Sequence, residues 1–280
     1  MIDIIKETLI DSLKLLPFLF FAFFLIEVIE HKLSKRTLKL VSNSNKLGPL
    51  IGSMLGVIPQ CGFSVMATNL YITKIITLGT LISVYLSTSD EMLPILISNK
   101  ADINIIIELL LIKVVVGIVS GFIIDFITRG KDKKTKLNYE ICDEDHCHCN
   151  NGILKSSVKH TLNTLLFIAI ITFILNIILE YLGHDYISKI FLKDSLFAPF
   201  ITSLIGLIPN CGASVMLTEL YLNGAISFAG IISGLLTGSG IALLVLFKSN
   251  KNIKENIKIL LLVYFIGVIS GIIIKLASII

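Results

Sequence analysis

The sequence predicts an all-α, polytopic helical membrane protein built from two inverted-topology repeats, each with a broken, re-entrant helical hairpin. Three observations support this fold class. Of the 280 residues, 54% are hydrophobic, and a mean hydropathy of +0.88 is too high for a soluble protein of this length. Several apolar stretches approach or exceed the roughly 20 residues that a helix needs to cross a bilayer. The chain also repeats itself at a constant offset of 150 residues.

The repeat is clearest where polar residues interrupt an apolar segment. Residues 48–71 read GPLIGSMLGVIPQCGFSVMATNLY and residues 198–221 read APFITSLIGLIPNCGASVMLTELY, with 14 of 24 positions identical. The same offset relates GIVSGFII at 117–124 to GVISGIII at 267–274. Interrupted apolar segments at matching positions of two halves indicate the binding site of a transporter.

The predicted helices follow in the same order in both halves. The first membrane helix spans 9–29, and its long apolar stretch without a small-residue cleavage site does not match a removable signal peptide. The remaining uninterrupted helices are predicted at 75–98, 103–127, 161–182, 225–247 and 257–279. The predicted domains are a first transmembrane repeat at 1–127, a polar linker at 128–160 and a second transmembrane repeat at 161–280.

Lysine and arginine residues predict the orientation of the chain. Loop 30–47, the linker and loop 248–258 are rich in these residues, whereas loops 98–102 and 182–197 hold only three lysines. Loops with an excess of positive charge stay in the cytoplasm. The linker is therefore predicted to be cytoplasmic, in a multi-pass protein of the cell (inner) membrane.

This orientation requires a hairpin in each half. If loop 30–47 and the linker share one side, the chain between them crosses the membrane an even number of times. Helices 75–98 and 103–127 supply two crossings, so segment 48–71 must enter and leave on the same side. Pro59 and Gly62 permit the break, because proline removes a backbone donor and glycine is conformationally free. Each half then makes three full crossings, which inverts the second half relative to the first.

The two interruptions form the candidate substrate site. Thiols are ligands for soft ions, amides and hydroxyls add polar contacts, and helix N-termini favour anions. The predicted substrate-binding residues are Pro59, Gln60, Cys61, Gly62, Ser64, Thr68, Pro209, Asn210, Cys211, Gly212, Ser214 and Thr218. The alternative interpretation is a helix-packing motif, because small residues let helices approach closely.

Polar residues inside helices 75–98 and 225–247 predict an ion pathway. An acidic residue inside a membrane is costly and indicates function by default. The candidates for a coupling ion or an ion pathway are Ser87, Asp90, Glu91, Glu219, Thr237 and Ser239. Alternatively, the helix ends near Ser87 with its acids in a wet vestibule, and Glu219 is interfacial. Glu108 and Lys113 are interpreted as structural, paired with each other or with other helices.

The linker carries five thiol and imidazole groups within eight residues. They are Cys142, His146, Cys147, His148 and Cys149. Such ligands suit a thiophilic metal ion, but their spacing is not that of a zinc finger. The linker is thus predicted to be a flexible capture or sensing loop, the alternative being a polar linker that binds metal incidentally. No other cofactor is expected.

No enzymatic activity is predicted. The sequence lacks a GxxxxGK[ST] ATPase motif, a nucleophile elbow and an HExxH motif. The expected partners are membrane lipid and a transported substrate, without nucleic acid, and assembly as a homodimer stays open.

At the repeated G(L/V)IP(Q/N)CG(F/A)SVM(A/L)T(N/E)LY segments, the chain resembles a family of ten-helix heavy-metal exporters, also labelled arsenic efflux proteins or manganese transporters. The linker sequence DHCHCNNGILKSSVKHTL resembles that family's Cys/His linker as well. The resemblance covers nearly the whole chain. It implies efflux of a heavy metal ion or a metalloid, and ten helices result if each broken hairpin is counted as two.

The substrate is left open by these residues. Paired cysteines favour a thiophilic substrate such as arsenite, whereas manganese prefers oxygen ligands and would depend on the acids and amides. Two alternatives remain. One is a transporter of a small organic or sulfur-containing anion, and the other is a membrane metal sensor or assembly factor that transports nothing.

Overall fold

The computed structural model describes residues 47–58, 61–89, 92–128 and 197–277, with isolated residues between 16 and 24 and between 154 and 173. Every regular element within these residues is a helix. The first half contains α1 (Gly48–Gly56), α2 (Cys61–Ile72), α3 (Leu78–Ser87), α4 (Met92–Ser98) and α5 (Ile103–Thr128). The second half contains α6 (Ala198–Gly206), α7 (Cys211–Leu222), α8 (Phe228–Thr237), α9 (Ala242–Ser249) and α10 (Ile253–Ala277). Residues 129–153, which make up most of the linker, lie outside the described residues, so the domain boundaries stay predictions.

Local sequence explains where several helices begin. Pro49 and Pro199 occupy the first turn of α1 and α6, where a missing backbone N–H leaves no hydrogen bond unmade. Thr77 and Ser227 cap α3 and α8, because each side chain accepts a hydrogen bond from the backbone N–H three residues later, at 3.2 and 3.3 Å. The two halves thus use the same starting signals at the same offset.

The apolar stretches 75–98 and 225–247 differ from the single helices predicted for them. In the first stretch α3 ends at Ser87 and α4 begins at Met92, and in the second α8 ends at Thr237 and α9 begins at Ala242. Hydropathy reports the length of an apolar segment but not a local break within it. The helix therefore does end near Ser87, as the alternative interpretation held.

Small residues pack each half around a central helix. Helix α3 lies between α1 and α5, and α8 lies between α6 and α10. A Cβ atom added at Gly121 of α5 would lie 2.7 Å from the Gly79 carbonyl oxygen of α3. One added at Gly271 of α10 would lie 2.6 Å from Ser233 Cβ of α8. Such positions let helix backbones approach closely inside a membrane.

The two halves interlock by exchanging equivalent helices. Helix α2 packs against α9 of the second half, and its counterpart α7 packs against α4 of the first half. Helices α3 and α8 contact each other, and the α3–α10 contact is matched by an α8–α5 contact. The other contacts pair off with the roles of the halves exchanged, and the α3–α8 contact joins two equivalent helices.

The long helices α5 and α10 present apolar stripes to their surroundings. On α5 the stripe repeats every four residues at Ile103, Ile107, Leu111, Val115, Val119 and Ile123, all at least half exposed. Both helices are long and apolar enough to cross a membrane, as is the segment Phe228–Ser249 taken across its break. Length and exposed stripe together identify a multi-pass helical membrane protein.

Candidate functional site

Each half contains two helix breaks, and side-chain hydrogen bonds connect them. The breaks lie between α1 and α2 and between α3 and α4 in the first half, and between α6 and α7 and between α8 and α9 in the second. In the first half, Ser89 Oγ, just after α3, donates to the Val57 carbonyl oxygen at the end of α1, at 2.6 Å. In the second half, Thr237 Oγ1, at the end of α8, donates to the Ser203 carbonyl oxygen of α6, at 2.8 Å. The breaks therefore lie side by side within each half.

A buried lysine joins the breaks of the two halves. Lys113 of α5 is only 1% exposed. Its Nζ donates to the carbonyl oxygen of Thr88, at the C-terminal end of α3, and to that of Leu235 in the last turn of α8, the latter at 2.9 Å. Carbonyls in the last turn of a helix lack intrahelical partners and carry the negative end of the helix dipole. An ammonium group is therefore well matched to this position.

Glu108, the suggested partner of Lys113 on α5, differs from it in burial. Glu108 is exposed, whereas Lys113 is buried. The two residues are five positions apart, a spacing that does not place side chains on the same face of a helix. Lys113 is therefore buried between the two halves, whereas Glu108 lies on the exposed surface of α5.

The predicted hydroxyl ligands lie on buried faces of α2 and α7. Ser64, Thr68 and Thr218 are fully buried and Ser214 is nearly so. Thr68 Oγ1 donates to the Ser64 carbonyl oxygen at 2.8 Å, and Thr218 Oγ1 donates to that of Ser214 at 2.7 Å. Each threonine therefore uses its proton within its own helix and keeps its oxygen lone pairs as acceptors.

Tyr85 is a buried polar residue that the sequence analysis missed. Its hydroxyl lies 2.6 Å from Thr68 Oγ1, and because Thr68 gives its proton to a backbone carbonyl, Tyr85 is the donor of this bond. The contact connects α3 to α2, and Tyr85 lies two residues before α3 ends at Ser87. A tyrosine in an apolar stretch gives little warning in the sequence, since tyrosine is common at the membrane–water interface.

Asn210 fixes the start of α7. Its Oδ1 accepts a hydrogen bond from Gly212 N at 3.3 Å, and its backbone is extended, which is the geometry of a helix N-cap. The residue is 4% exposed. The polar amide before the cysteine therefore has a structural role that the sequence analysis did not anticipate, and it holds the N-terminus of α7 at the break. Pro209 precedes it and is half-buried.

The remaining predicted residues divide into described and undescribed groups. Ser87 Oγ donates to the Ser83 carbonyl oxygen at 2.8 Å. Ser239, after α8, is fully buried, and its Oγ has no hydrogen-bond partner among the described residues. Glu219 lies on the exposed face of α7, and Gly62 is buried at the start of α2.

Several predicted residues cannot be placed. Cys61 and Cys211 are the first residues of α2 and α7, but their side chains lie outside the described part of the chain. The residues wholly outside it are Pro59, Gln60, Asp90, Glu91, Cys142, His146, Cys147, His148 and Cys149. Among the residues that are described, no group of three or more His, Cys, Asp and Glu could hold a metal ion.

Two polar contacts mark one end of the molecule. At the C-terminal end of α5, Asp125 accepts hydrogen bonds from Gly79 N at 2.9 Å and from Thr77 Oγ1 at 2.8 Å, at the start of α3. At the N-terminal end of α10, Glu255 accepts a hydrogen bond from Tyr71 Oη and lies 3.4 Å from Lys74 Nζ, at the end of α2. These contacts relate the directions of the helices in the two halves.

Comparison with known proteins agrees with this architecture. A family model described as "Putative, 10TM heavy-metal exporter" matches residues 1–181 and again residues 153–278. No curated protein and no solved structure matches the chain. Since the two matches together span nearly the whole sequence, the chain belongs to this family of ten-helix heavy-metal exporters.

Proposed function

We propose that the protein is a secondary-active exporter of a heavy metal ion or metalloid, with its substrate site at the helix breaks between the two halves. The observation that carries this proposal is the buried junction between the halves. There, Lys113 Nζ donates hydrogen bonds to backbone carbonyl oxygens at the C-terminal ends of α3 and α8. Irregular backbone at membrane depth is tolerated only inside protein or beside water. Transporters place their substrate sites at such broken helices.

A thiophilic substrate such as arsenite fits the residues of the breaks best. Cys61 and Cys211 are the first residues of α2 and α7, so each half brings one thiol-bearing residue to a break. Around them, Ser64 and Ser214 lie buried one turn further along the same helices. Manganese would instead depend on oxygen ligands such as Asp90, Glu91 and Glu219.

Segment 48–71 forms a hairpin that enters and leaves on one side. Helix α1 begins beside the start of α3, because Gly48 lies against Thr80. Helix α2 ends near the same place, because only residues 73–77 separate it from α3. Both observations support a hairpin that opens toward the end of the molecule where Asp125 caps α3.

The second half is inverted relative to the first. The C-terminal end of α5 lies at the start of α3, through Asp125 and Gly79. The N-terminal end of α10 lies at the end of α2, through Glu255 and Tyr71. Since α2 leads directly into α3, these contacts support opposite directions for the equivalent helices α5 and α10, as inverted repeats require.

Cysteine labelling tests this topology. Single cysteines at Ser44, Lys134 and Asn250, introduced into a cysteine-free background, should react with an impermeant maleimide only from the cytoplasmic side of the membrane. The reason is that all three loops carry the excess of lysine and arginine. A cysteine at Lys100 is the control and should react only from the opposite side. Labelling of Asn250 and Lys134 from different sides would contradict the inverted repeat.

A transport assay tests the function itself. Proteoliposomes containing the purified protein should move arsenite or another thiophilic species across the bilayer, while protein-free vesicles should not. The panel should include arsenite, Cd²⁺, Zn²⁺, Mn²⁺ and thiosulfate, so that soft, borderline and hard ions and a sulfur-containing anion are compared directly. Movement of thiosulfate alone would favour an anion transporter, and movement of nothing by a well-folded protein would favour a sensor.

The same assay separates the membrane pathway from the linker. Cys142, His146, Cys147, His148 and Cys149 are proposed to capture a soft ion in the cytoplasm. Replacing all five with serine should lower the transport rate at low substrate concentration. The transport rate at saturating substrate should stay unchanged. Capture should also weaken as pH falls, because thiols and imidazoles must lose protons to bind a metal. Complete loss of transport at every concentration would make the linker an obligatory gate.

A further inference from the structure

We propose that Lys113 is a tethered cation, which fills a monovalent-cation site formed by the backbone carbonyl oxygens of Thr88 and Leu235. The side chain would occupy the place where a free Na⁺ or K⁺ could otherwise bind. The ligands come from both halves, one from the end of α3 and one from the last turn of α8. The site therefore forms only when the two halves are packed together.

The broken helices release the two carbonyls from their usual partners. In a continuous helix the Leu235 oxygen would accept a hydrogen bond from Ser239 N. Ser239 N instead donates to the Thr237 oxygen at 2.8 Å, because α8 ends at Thr237. The Thr88 carbonyl follows the last residue of α3. Both oxygens thus lie at the negative ends of helices, where cations are favoured.

The burial of the ammonium group supports a site rather than an incidental contact. At 1% exposure, a charge is costly unless polar groups replace its hydration. Backbone carbonyl oxygens replace the hydration of small cations inside membranes in just this way. Besides these two hydrogen bonds, Lys113 takes part in a further interaction. Asp90 and Glu91 follow Thr88 along the chain, outside the described residues.

The site has no duplicate in the second half. The position equivalent to Lys113 at the offset of 150 residues is Val263, which carries no charge and is buried. A single charge that contacts both halves suits a position near the pseudo-two-fold axis. The consequence for transport, which rests on the proposed function, is that wild-type export needs neither Na⁺ nor K⁺.

Cation-dependent stability tests the site without any transport measurement. The full-length Lys113→Ala variant should melt about 5 °C or more below the wild type in detergent with N-methyl-D-glucamine chloride, because two buried carbonyls lose their donor. Replacing that salt with NaCl, KCl, NH₄Cl or methylammonium chloride at equal ionic strength should restore at least half of the loss in one case. The wild type should show no such dependence. Lys74→Ala, which removes a half-exposed lysine paired with Glu255, is the control and should show no cation-specific recovery.

Three results would overturn the proposal. One is a Lys113→Ala protein as stable as the wild type without small cations, and another is a loss that none of the four cations restores. If the alanine variant does not accumulate, Lys113→Arg, which keeps the charge, must accumulate, and its absence would be the third.

In proteoliposomes, export by Lys113→Ala should regain the wild-type rate only with the cation that restores stability. If no substrate moves, the melting comparison still decides the cation site, and only the proposed function fails.

Discussion

Replacing Gly121 with leucine will prevent most of the chain from reaching its folded form. A Cβ atom at this position would lie 2.7 Å from the Gly79 carbonyl oxygen, 2.7 Å from Pro49 Cβ and 3.0 Å from Ser83 Cβ. These atoms belong to the backbone, to a rigid ring or to a short side chain, so they cannot move aside without shifting α1 or α3. Overpacking typically costs about 1–3 kcal/mol, and a clash between two helix backbones should cost more.

The yield of monodisperse protein after detergent extraction measures this effect. We expect the Gly121→Leu variant to give roughly tenfold less monodisperse protein than the wild type, because overpacking between two helices destabilises the folded form. Val119→Leu is the matched control, since Val119 lies two residues earlier on α5 and is 50% exposed. That control should behave as the wild type. Normal yield and stability of Gly121→Leu would mean that α5 and α3 do not pack as described.

The sequence predicts the parts of the fold that repeat. Pro59 and Pro209, each followed by an amide residue, a cysteine and a glycine, predict breaks because proline and glycine act on the backbone directly. The glycine pairs Gly117–Gly121 and Gly267–Gly271 also repeat, and small residues at this spacing favour close contacts between membrane helices. Repetition at a constant offset makes these signals far stronger than a single occurrence would.

The breaks between α3 and α4 and between α8 and α9 could not be predicted in the same way. Ser87 and Thr88 are tolerated inside membrane helices, so nothing in the residues leading up to that break forbids a continuous helix. The second half gives a better signal, since Gly238 and Gly240 flank Ser239. In the structure Gly240 has a φ of 55°, a conformation that favours glycine. Reading the two halves together would have indicated both breaks.

The centre of the site depends on contacts that a sequence does not display. Lys113 and Leu235 are 122 residues apart, and nothing in the sequence near either one indicates that they meet. Asn210 is predicted as a substrate ligand, but in the structure it caps α7. An asparagine at this position suits either role, so the sequence does not distinguish them. One available signal was asymmetry, because the position equivalent to Lys113 in the second half is the apolar residue Val263.

Replacing both Cys61 and Cys211 with serine should abolish export of a thiophilic substrate. Both cysteines begin helices at the breaks, one from each half. A serine oxygen is a hard ligand and cannot replace a thiolate for a soft ion. Each single variant should lose more than the roughly 10- to 100-fold that an outer-shell partner of a metal costs. The double variant should transport no faster than protein-free vesicles.

Two comparisons make this result specific to the two thiols at the breaks. The variant in which only Cys142, Cys147 and Cys149 become serine loses three thiols but keeps both cysteines at the breaks, so it should export the substrate at saturation. The double variant should also melt within about 2 °C of the wild type, because a cysteine-to-serine change removes little volume and surface from the packed helices. Full export by the double variant would mean that Cys61 and Cys211 serve helix packing, since the paired thiols would then be unnecessary for the substrate. Loss of export together with loss of stability would point to the same conclusion, because the defect would lie in the fold rather than in the binding of a soft ion.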